Sequence, residues 1–429
     1  MEIARAEMWA NWSGSQWSSP SIFHPYSIEM LQGLVRVYPK LRVVGAGHSF
    51  SALAKTSDVL VCLDQLKGMC DYDREKCRST FWAGTRLYDV GEKLATIDQA
   101  LANQGDIDRQ SLAGAIATGT HGTGVELPCL SALVSEFELL TADGHLLRCN
   151  PEQNSDIFAA GRVACGSLGI MTRIQLQNRP MYRLQEQIRL CSLTDLYASI
   201  EKWKHQHRHI EFWAFTHSDN VILKSLDETQ EEAQARPDGW LDEDFMLNMC
   251  CELNRIWPGL NPWLQRLLNI AIRPSKAVDW SSRIFPSVRN TRFNEMEYQL
   301  PVKQGLACFE EVMEILQQQK APVFFPIEFR YVRGDDIWLS PFYQQDSVSI
   351  SVHQFYKQDY QVIFDLVEPI FRKYGGRPHW GKLHSLEARQ LCELYPKWDE
   401  FMQLRKSLDP QDKWLNPYLE RLFIPSRMS

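Results

Sequence analysis

The stretch LRVVGAGHSF, residues 41–50, decides the fold, because an apolar β-type run enters a Gly-x-Gly turn there. Phe50 occupies the position of the third glycine in a GxGxxG pattern, and the next apolar run, VLVCLD at residues 59–64, follows without a helical pattern between them. A Rossmann site needs that third glycine and a helix N-terminus for the pyrophosphate. The sequence therefore disfavours an NAD-type site.

This turn predicts a ligand-contacting loop made of Gly45, Ala46, Gly47, His48 and Ser49. Glycine permits positive φ and leaves no Cβ in the way, so the backbone can approach a planar or anionic ligand closely. A histidine at the tip of such a loop can be a ligand, a base or a covalent attachment point, although a single loop histidine is more often structural.

Two further glycine turns follow, GDIDRQSLAGAIATGTHGTG at residues 105–124 and CGSLGI at residues 165–170. The alternating glycines and threonines of the first predict a nest of backbone N–H groups for phosphate oxygens. A P-loop lysine is missing, which disfavours nucleotide hydrolysis. The cofactor contacts predicted in these two stretches are Ser111, Gly114, Thr118, Gly119, Thr120, Gly122, Thr123, Gly124, Gly169 and Ile170.

Composition excludes several classes of protein. A formal charge of -7 without a Lys/Arg run disfavours nucleic-acid binding, which needs clustered cations. Eleven cysteines without a CxxC pair, and an N-terminus without a signal-like apolar stretch, predict reduced thiols and a cytoplasmic protein.

A length of 429 residues favours two domains. Short β-type runs separated by glycine fill residues 20–178, and longer helical segments dominate after Tyr182. We therefore predict an α+β chain with one domain at 14–180 and a second at 181–429.

The segment LNPWLQRLLNIAIRPSK, residues 260–276, is amphipathic and carries Arg266, Arg273 and Lys276 at its edge. The favoured interpretation is a helix packed on the second domain. Peripheral contact with a membrane is the alternative.

The chain resembles the vanillyl-alcohol-oxidase-type FAD enzymes, and among them the aldonolactone oxidases and alditol oxidases. The resemblance preserves motif order over nearly the whole chain. It rests on VVGAGHSF (43–50), SLAGAIATGTHGTG (111–124), GSLGIMTRIQL (166–176), RFNEMEYQLP (292–301), PIEFRYV (326–332), HWGK (379–382) and LDPQDKWLNPYLERLF (408–423).

This resemblance implies a PCMH-type FAD-binding domain followed by a substrate (cap) domain with an antiparallel sheet. It implies oxidation of an alcohol carbon of an aldono-1,4-lactone, of the D-arabinono or L-gulono type, with hydride transfer to flavin N5. Oxygen, giving hydrogen peroxide, or another electron carrier would reoxidise the flavin. It also implies a bond from His48 to the flavin 8α-methyl group, and a single one, because residues 111–124 contain no cysteine.

Candidate catalytic residues lie on two polar-striped strands. In FFPIEFRYV (324–332), period-2 alternation places Glu328 and Arg330 on one face, and in SVSISVHQF (347–355) it places Ser349, Ser351 and His353 on one face. Periodicity alone is equally compatible with a functional pair and with a surface ion pair formed by Glu328 and Arg330.

The resemblance implies that this Glu-x-Arg contacts the substrate, that Lys382 lies near flavin and substrate, and that Ser111 lies near the reactive edge of the flavin. His353 or the Glu-Arg pair would assist removal of the hydroxyl proton. His121 is interpreted as a structural loop residue.

We predict no metal site, because the i, i+5 spacing of His379 and His384 is poor for ligation.

Two alternatives remain from the sequence. One is an alditol oxidase acting on the terminal hydroxyl of a sugar alcohol. The other is a flavin-binding protein without turnover, which the retained charges on the polar strands disfavour.

Overall fold

The structure is a computed structural model that describes residues 7–235, 243–287 and 289–425. Its first part contains a small parallel sheet and a five-stranded antiparallel sheet, and its second part contains one eight-stranded antiparallel sheet. Helices flank all three sheets. This arrangement confirms the predicted α+β class.

The small sheet positions the first glycine turn. Strand Leu41–Val44 has three of its four residues buried and ends directly at Gly45, so the turn leaves from the carboxyl edge of a parallel sheet. The strands lie side by side in the order Ser21–Phe23, Val59–Cys62 and Leu41–Val44.

The five-stranded sheet positions the third glycine turn, because its central strand Ile170–Gln177 begins immediately after Gly169. Gly169 has a φ of +153°, and a Cβ there would lie 2.6 Å from the carbonyl oxygen of Leu140 on the neighbouring strand. The strand order is Leu146–Cys149, Val134–Leu140, Ile170–Gln177, Arg78–Trp82 and Met69–Asp73. Two short pairs, Trp9–Ala10 with Trp17–Ser18 and Gln99–Ala100 with Arg179–Pro180, complete the strands of this part.

The eight-stranded sheet carries the polar-striped strands at its centre. Glu328 lies opposite Ser351 and Arg330 opposite Ser349, so these four side chains share one face, as the alternation predicts. The strand order is Ser275–Trp280, Arg183–Ser192, Asn220–Thr229, His209–Ala214, Ile327–Val332, Ser347–Phe355, Phe293–Pro301 and Arg377–Pro378.

The helices connect and cover these sheets. Helix Gly305–Gln318 packs on the large sheet through Phe309, whose ring lies 5.2 Å from that of Phe212. The helices are Ile28–Val37, Leu87–Ala95, Leu112–Ala117, Ser155–Gly161, Leu193–Gln206, Glu243–Ile256, Asn261–Ala271, Ser281–Ile284, Gly305–Gln318, Gln361–Lys373, Ala388–Leu394, Trp398–Leu408 and Pro417–Phe423.

The end of the chain returns to the first part. The Asn416 amide donates hydrogen bonds to the carbonyls of Ala52 (2.8 Å) and Lys55 (2.7 Å), and Arg42 donates to the carbonyl of Trp414. The domain limits 14–180 and 181–429 stay predictions, and residues 426–429 lie outside the described chain. The hydrogen bonds of Asn416, and that of Arg42 to Trp414, fix the last helix to the loops around the first glycine turn.

All eleven cysteines are free thiols, and two of them, Cys70 and Cys392, are exposed. Among the described helices, none is long and apolar enough to cross a bilayer.

Candidate active site

The three glycine turns meet in one cleft of about 1210 Å³. Its walls come from residues 42–54, 110–118 and 164–171, together with Trp9 and Arg86. The predicted cofactor contacts that line this cleft are Gly45, Ala46, Gly47, His48, Ser49, Ser111, Gly114, Thr118, Gly169 and Ile170.

The cleft is built from bare backbone. A Cβ on Gly45 would lie 1.9 Å from Oγ of Ser111, and Gly47 has a φ of +68°. Ser111 is held in place because its Oγ accepts a hydrogen bond from the Gly114 amide, which caps helix Leu112–Ala117. Among the described residues, the amides from Ala46 to Ser49 have no hydrogen-bond acceptor. These free N–H groups suit the oxygens of a dinucleotide, so the cleft fits FAD.

The second half of the glycine-threonine loop lies elsewhere. Gly119, Thr120, Gly122, Thr123 and Gly124 do not line the cleft. A Cβ on Gly122 would lie 2.3 Å from the carbonyl oxygen of Gln104, and the Gly124 amide donates to the Tyr331 carbonyl at 2.8 Å.

Thr123 also donates to the carbonyl of Ile210 and accepts from the Tyr331 amide. Thr123 and Gly124 therefore pack against strands of the large sheet and not along the cleft. The predicted role of this half of the loop in binding cofactor stays untested.

His48 stands where the first turn faces the second part of the chain. Its ring stacks on Trp12 at 5.9 Å between centroids. Burial, together with the charges of Arg86, Lys382 and Arg109, lowers the pKa of His48 to about 4. The imidazole is therefore neutral at physiological pH and keeps a ring nitrogen lone pair available.

A buried ion-pair cluster lies on the central strands of the large sheet. Arg330 contacts Glu328 at 2.6 Å, Glu211 at 2.7 Å and Asp106 at 2.7 Å. The Arg330 and Glu328 side chains are only 13% and 7% exposed, so the surface-pair interpretation is wrong. Burial raises the pKa of Glu328 more than Arg330 lowers it.

A second group of charges surrounds Lys382. Its ammonium group contacts Glu295 at 2.5 Å and Glu297 at 3.5 Å, and His353 Nε2 lies 3.5 Å from Glu295. Burial opposes ionisation of Glu295, but Lys382 and His353 outweigh it and lower the pKa of Glu295 to about 2. Lys382 therefore pairs with two buried carboxylates.

His121 is hydrogen-bonded at both ring nitrogens, through Nε2 to Glu297 at 2.6 Å and through Nδ1 to the Gly122 carbonyl at 2.8 Å. The ligand atoms of His121, Glu297 and His379 lie within 4.8 Å of one another. His384, which the spacing pairs with His379 in the sequence, lies near Tyr418 and outside this group. Lys382 already contacts Glu297, which disfavours a second cation there.

The side chains of Glu328, Arg330, His353 and Lys382 are together called the charged face. This face comes near the cleft at Lys382. The ammonium group of Lys382 lies 5.0 Å from the centre of the Phe50 ring, and the Phe50 amide donates to the Gly381 carbonyl at 2.8 Å. The ring of Phe293 lies 5.2 Å from that of Trp12 and 4.8 Å from that of His353. Lys382 therefore lies close enough to His48 to lower its pKa, although Glu328, Arg330, His353 and Lys382 are not among the residues that line the cleft.

Comparison with known proteins places this geometry in a family. Residues 20–150 match the FAD binding domain family, and residues 174–422 match the D-arabinono-1,4-lactone oxidase family. The chain belongs to the D-arabinono-1,4-lactone oxidase family. The predicted order of a FAD-binding domain and an antiparallel-sheet domain is thereby confirmed.

Individual relatives span the whole chain. An L-gulono-1,4-lactone dehydrogenase of Mycobacterium tuberculosis is 34% identical over 97% of this chain and 99% of its own. An L-gulonolactone oxidase of Scyliorhinus torazame is 31% identical over 96% and 98%. A solved structure of a solvent-stable cholesterol oxidase has a TM-score of 0.82 at 16% identity, with 98% of each chain covered, which shows a shared fold.

Several residues of this family member escaped the sequence analysis. Arg42 is buried and donates to the carbonyls of Leu53, Cys165 and Gly166, which ties two glycine turns together. Asp106 lies within the glycine-rich stretch 105–124, but no pattern in the sequence indicates its contact with Arg330. An isolated arginine or aspartate has the pattern of a surface residue, and only tertiary contacts reveal its burial.

Proposed function

We propose that this chain oxidises a hydroxyl-bearing carbon of an aldono-1,4-lactone with FAD as its cofactor. The observation that carries the proposal is the set of largely buried charged side chains Glu328, Arg330, His353 and Lys382, of which Lys382 lies close enough to His48 to lower its pKa. Relatives named for L-gulono-1,4-lactone and L-gulonolactone support the substrate class.

The chemistry divides between cofactor and side chains. Bound FAD supplies a hydride acceptor. Arg330 and Lys382 are buried cations that can hold the oxygens of a polyhydroxy ring. His353 lies beside Glu295 and Glu328, and the ligand atoms of these three side chains lie within 4.8 Å of one another. We propose that His353 accepts the proton of the substrate hydroxyl group, and that Glu328 and Arg330 orient the substrate.

The decisive test is an anaerobic substrate panel with the purified yellow protein. We expect gulono-, galactono- or arabinono-1,4-lactone to bleach the flavin absorbance, and xylitol and sorbitol to leave it unchanged. Bleaching by the alditols alone would assign the alditol alternative, which relatives above 30% identity do not favour. No bleaching by any compound would contradict the enzymatic proposal. Readmission of air then separates reoxidation by oxygen from reoxidation by another carrier.

We further propose that His48 carries the flavin covalently through a ring nitrogen. A neutral imidazole on the cleft wall supports this, because only its unprotonated nitrogen can form the bond. After acid precipitation the native pellet should stay yellow, whereas the pellet of His48→Ala should be colourless. His145→Ala, at an exposed histidine, is the control and should behave like the native protein. A colourless native pellet contradicts the link.

A further inference from the structure

We infer that Trp12 is a positioning residue that holds the imidazole of His48 at the wall of the cofactor cleft. The inference rests on the proposed role of His48 toward the flavin and does not depend on the substrate. Trp12 lies in the turn of the hairpin formed by strands Trp9–Ala10 and Trp17–Ser18, ahead of residues 20–150, which match the FAD binding domain family.

Hydrogen bonds fasten this hairpin to the first glycine turn. The Trp12 amide donates to the Gly47 carbonyl at 2.8 Å, and the side-chain amide of Asn11 donates to the Ser49 carbonyl at 3.0 Å. Asn11 is only 5% exposed, so its bond is shielded from water. The hairpin is therefore tied to the residues on both sides of His48.

The hairpin also packs directly on the bare backbone of Gly47. A Cβ built on Gly47 would lie 3.7 Å from Cα of Asn11, 3.9 Å from the carbonyl oxygen of Ala10 and 3.9 Å from the ring of Trp9. Trp9 in turn lines the cleft. The hairpin thus forms part of the cleft wall and supports the turn that carries His48.

The Trp12 ring is the support of the imidazole itself. His48 has no hydrogen-bond partner for its ring among the described residues. Its ring lies instead against the indole of Trp12, with 5.9 Å between the ring centres and 26° between the ring planes. Rotation about the side-chain bonds of a histidine gives several staggered positions. The stacked indole therefore limits the positions that the imidazole can take.

Rings from both parts of the chain hold Trp12 in turn. Its indole meets the ring of Phe50 edge-on at 6.1 Å and the ring of Phe293 edge-on at 5.2 Å. Phe50 follows the first glycine turn, whereas Phe293 belongs to the large sheet. Edge-to-face contacts have a preferred geometry, so they fix orientation as well as burying apolar area. Trp12 can therefore act as a fixed surface for His48.

The experiment measures flavin in the full-length variants Trp12→Leu and Trp12→Phe. Trp12→Leu keeps the backbone bond to Gly47 and removes only the aromatic face. The flavin that stays with the protein after acid precipitation should fall at least about tenfold below the native value, because a reacting group that is misplaced loses the advantage of fixed orientation. Trp12→Phe retains an aromatic face and should keep at least about half of the native value.

Trp17→Leu is the matched control, because Trp17 lies in the same hairpin and is 63% exposed. This variant should keep the native content of acid-stable flavin. Equal acid-stable flavin in Trp12→Leu and Trp17→Leu overturns the inference. Equal loss in Trp12→Phe and Trp12→Leu also overturns it, because the aromatic face would then not be what matters.

The His48→Ala background separates positioning from a general role in the cleft. The FAD dissociation constants of His48→Ala and His48→Ala/Trp12→Leu are measured by gel filtration with FAD in the buffer. They should agree within about twofold, because Trp12 acts through a ring that both proteins lack. Clearly weaker binding by the double variant would show that Trp12 shapes the cleft directly, and would overturn the inference.

A colourless pellet from the native protein would contradict the covalent link and still leave the role of Trp12 decidable. The FAD dissociation constants of native protein, Trp12→Leu, His48→Ala and the double variant then form a complete cycle. Trp12→Leu should weaken FAD binding only where His48 is present. Equal weakening in both backgrounds, or no weakening in either, overturns the inference.

Discussion

The cleft and the charged face of the active site are built by opposite means. The cleft is formed by backbone, and its key positions Gly45 and Gly47 work because a side chain is missing. The charged face is formed by side chains from separate strands, and Arg330 works because three carboxylates surround it. The cleft therefore depends on the absence of side chains at its wall, and the charged face depends on the balance between its cations and carboxylates.

This difference determines how each half responds to substitution. Removing a cation from the charged face leaves buried carboxylates without compensation, which costs more free energy than most packing changes. Adding a methyl group to the cleft wall costs the energy of a local rearrangement. The charged face should thus be the more sensitive half in stability, and the cleft the more sensitive half in flavin retention.

The largest effect is expected from Arg330→Ala. Because Glu328 loses its cation, and Glu211 and Asp106 lose one of the cations they contact while Lys224 remains, the free energy of unfolding should fall by about 3–5 kcal/mol. Turnover should fall by roughly 10²–10³-fold, because a buried charge that orients the substrate is lost. Urea unfolding and steady-state kinetics at full flavin occupancy measure both.

Arg148→Ala is the matched control, because Arg148 is 64% exposed and pairs with Glu136 at the surface. It should change the unfolding free energy by less than about 1 kcal/mol. If Arg330→Ala is no more destabilising than this control, the charged face is not a balanced buried cluster and the contrast between the two halves fails.

The same contrast explains what the sequence could predict. Glycine turns are contiguous, so residues 45–49 and Gly169 were found by pattern alone. The period-2 pattern also placed Glu328 and Arg330 on one face.

The partners of Arg330 could not be found in this way, because Asp106 and Glu211 come from a distant loop and strand. Nor could the split of the glycine-threonine loop be predicted, since Gly122 faces the backbone of Gln104 and Gly124 that of Arg208, and a local pattern does not show these contacts.

An intermediate, pH-dependent effect is expected from Lys382→Met. The folded protein holds the pKa of Glu295 near 2, below its ordinary 4.5, despite burial, because Lys382 and His353 are close. A carboxylate with a lowered pKa stabilises the fold above about 4.5, and this contribution is lost as the pH falls toward 2. The free energy of unfolding of the native protein should therefore exceed that of the variant by on the order of 3 kcal/mol near neutral pH, and this difference should shrink in acid.

Urea unfolding of both proteins across the acidic range measures this difference. Lys373→Met is the control, because Lys373 pairs with Glu311 at the surface and is 61% exposed. A difference between native protein and Lys382→Met that stays constant down to strong acid would show that Lys382 stabilises by packing and not by charge. The charged face would then resemble the cleft.

The smallest effect on stability, and the sharpest test of the cleft, is expected from Gly45→Ala. Its Cβ would lie 1.9 Å from Oγ of Ser111, so this hydroxyl must leave its place or the two turns must separate, at a cost of about 1–3 kcal/mol. Flavin content after purification should fall well below the native value, because either change reshapes the cleft wall. Gly33→Ala is the control, because Gly33 lies in helix Ile28–Val37 with nothing within 4 Å of a new Cβ. This variant should gain about 0.5–1 kcal/mol in free energy of unfolding and should keep its flavin. If Gly45→Ala retains flavin as well as Gly33→Ala does, the cleft tolerates side chains and bare backbone is not what defines it.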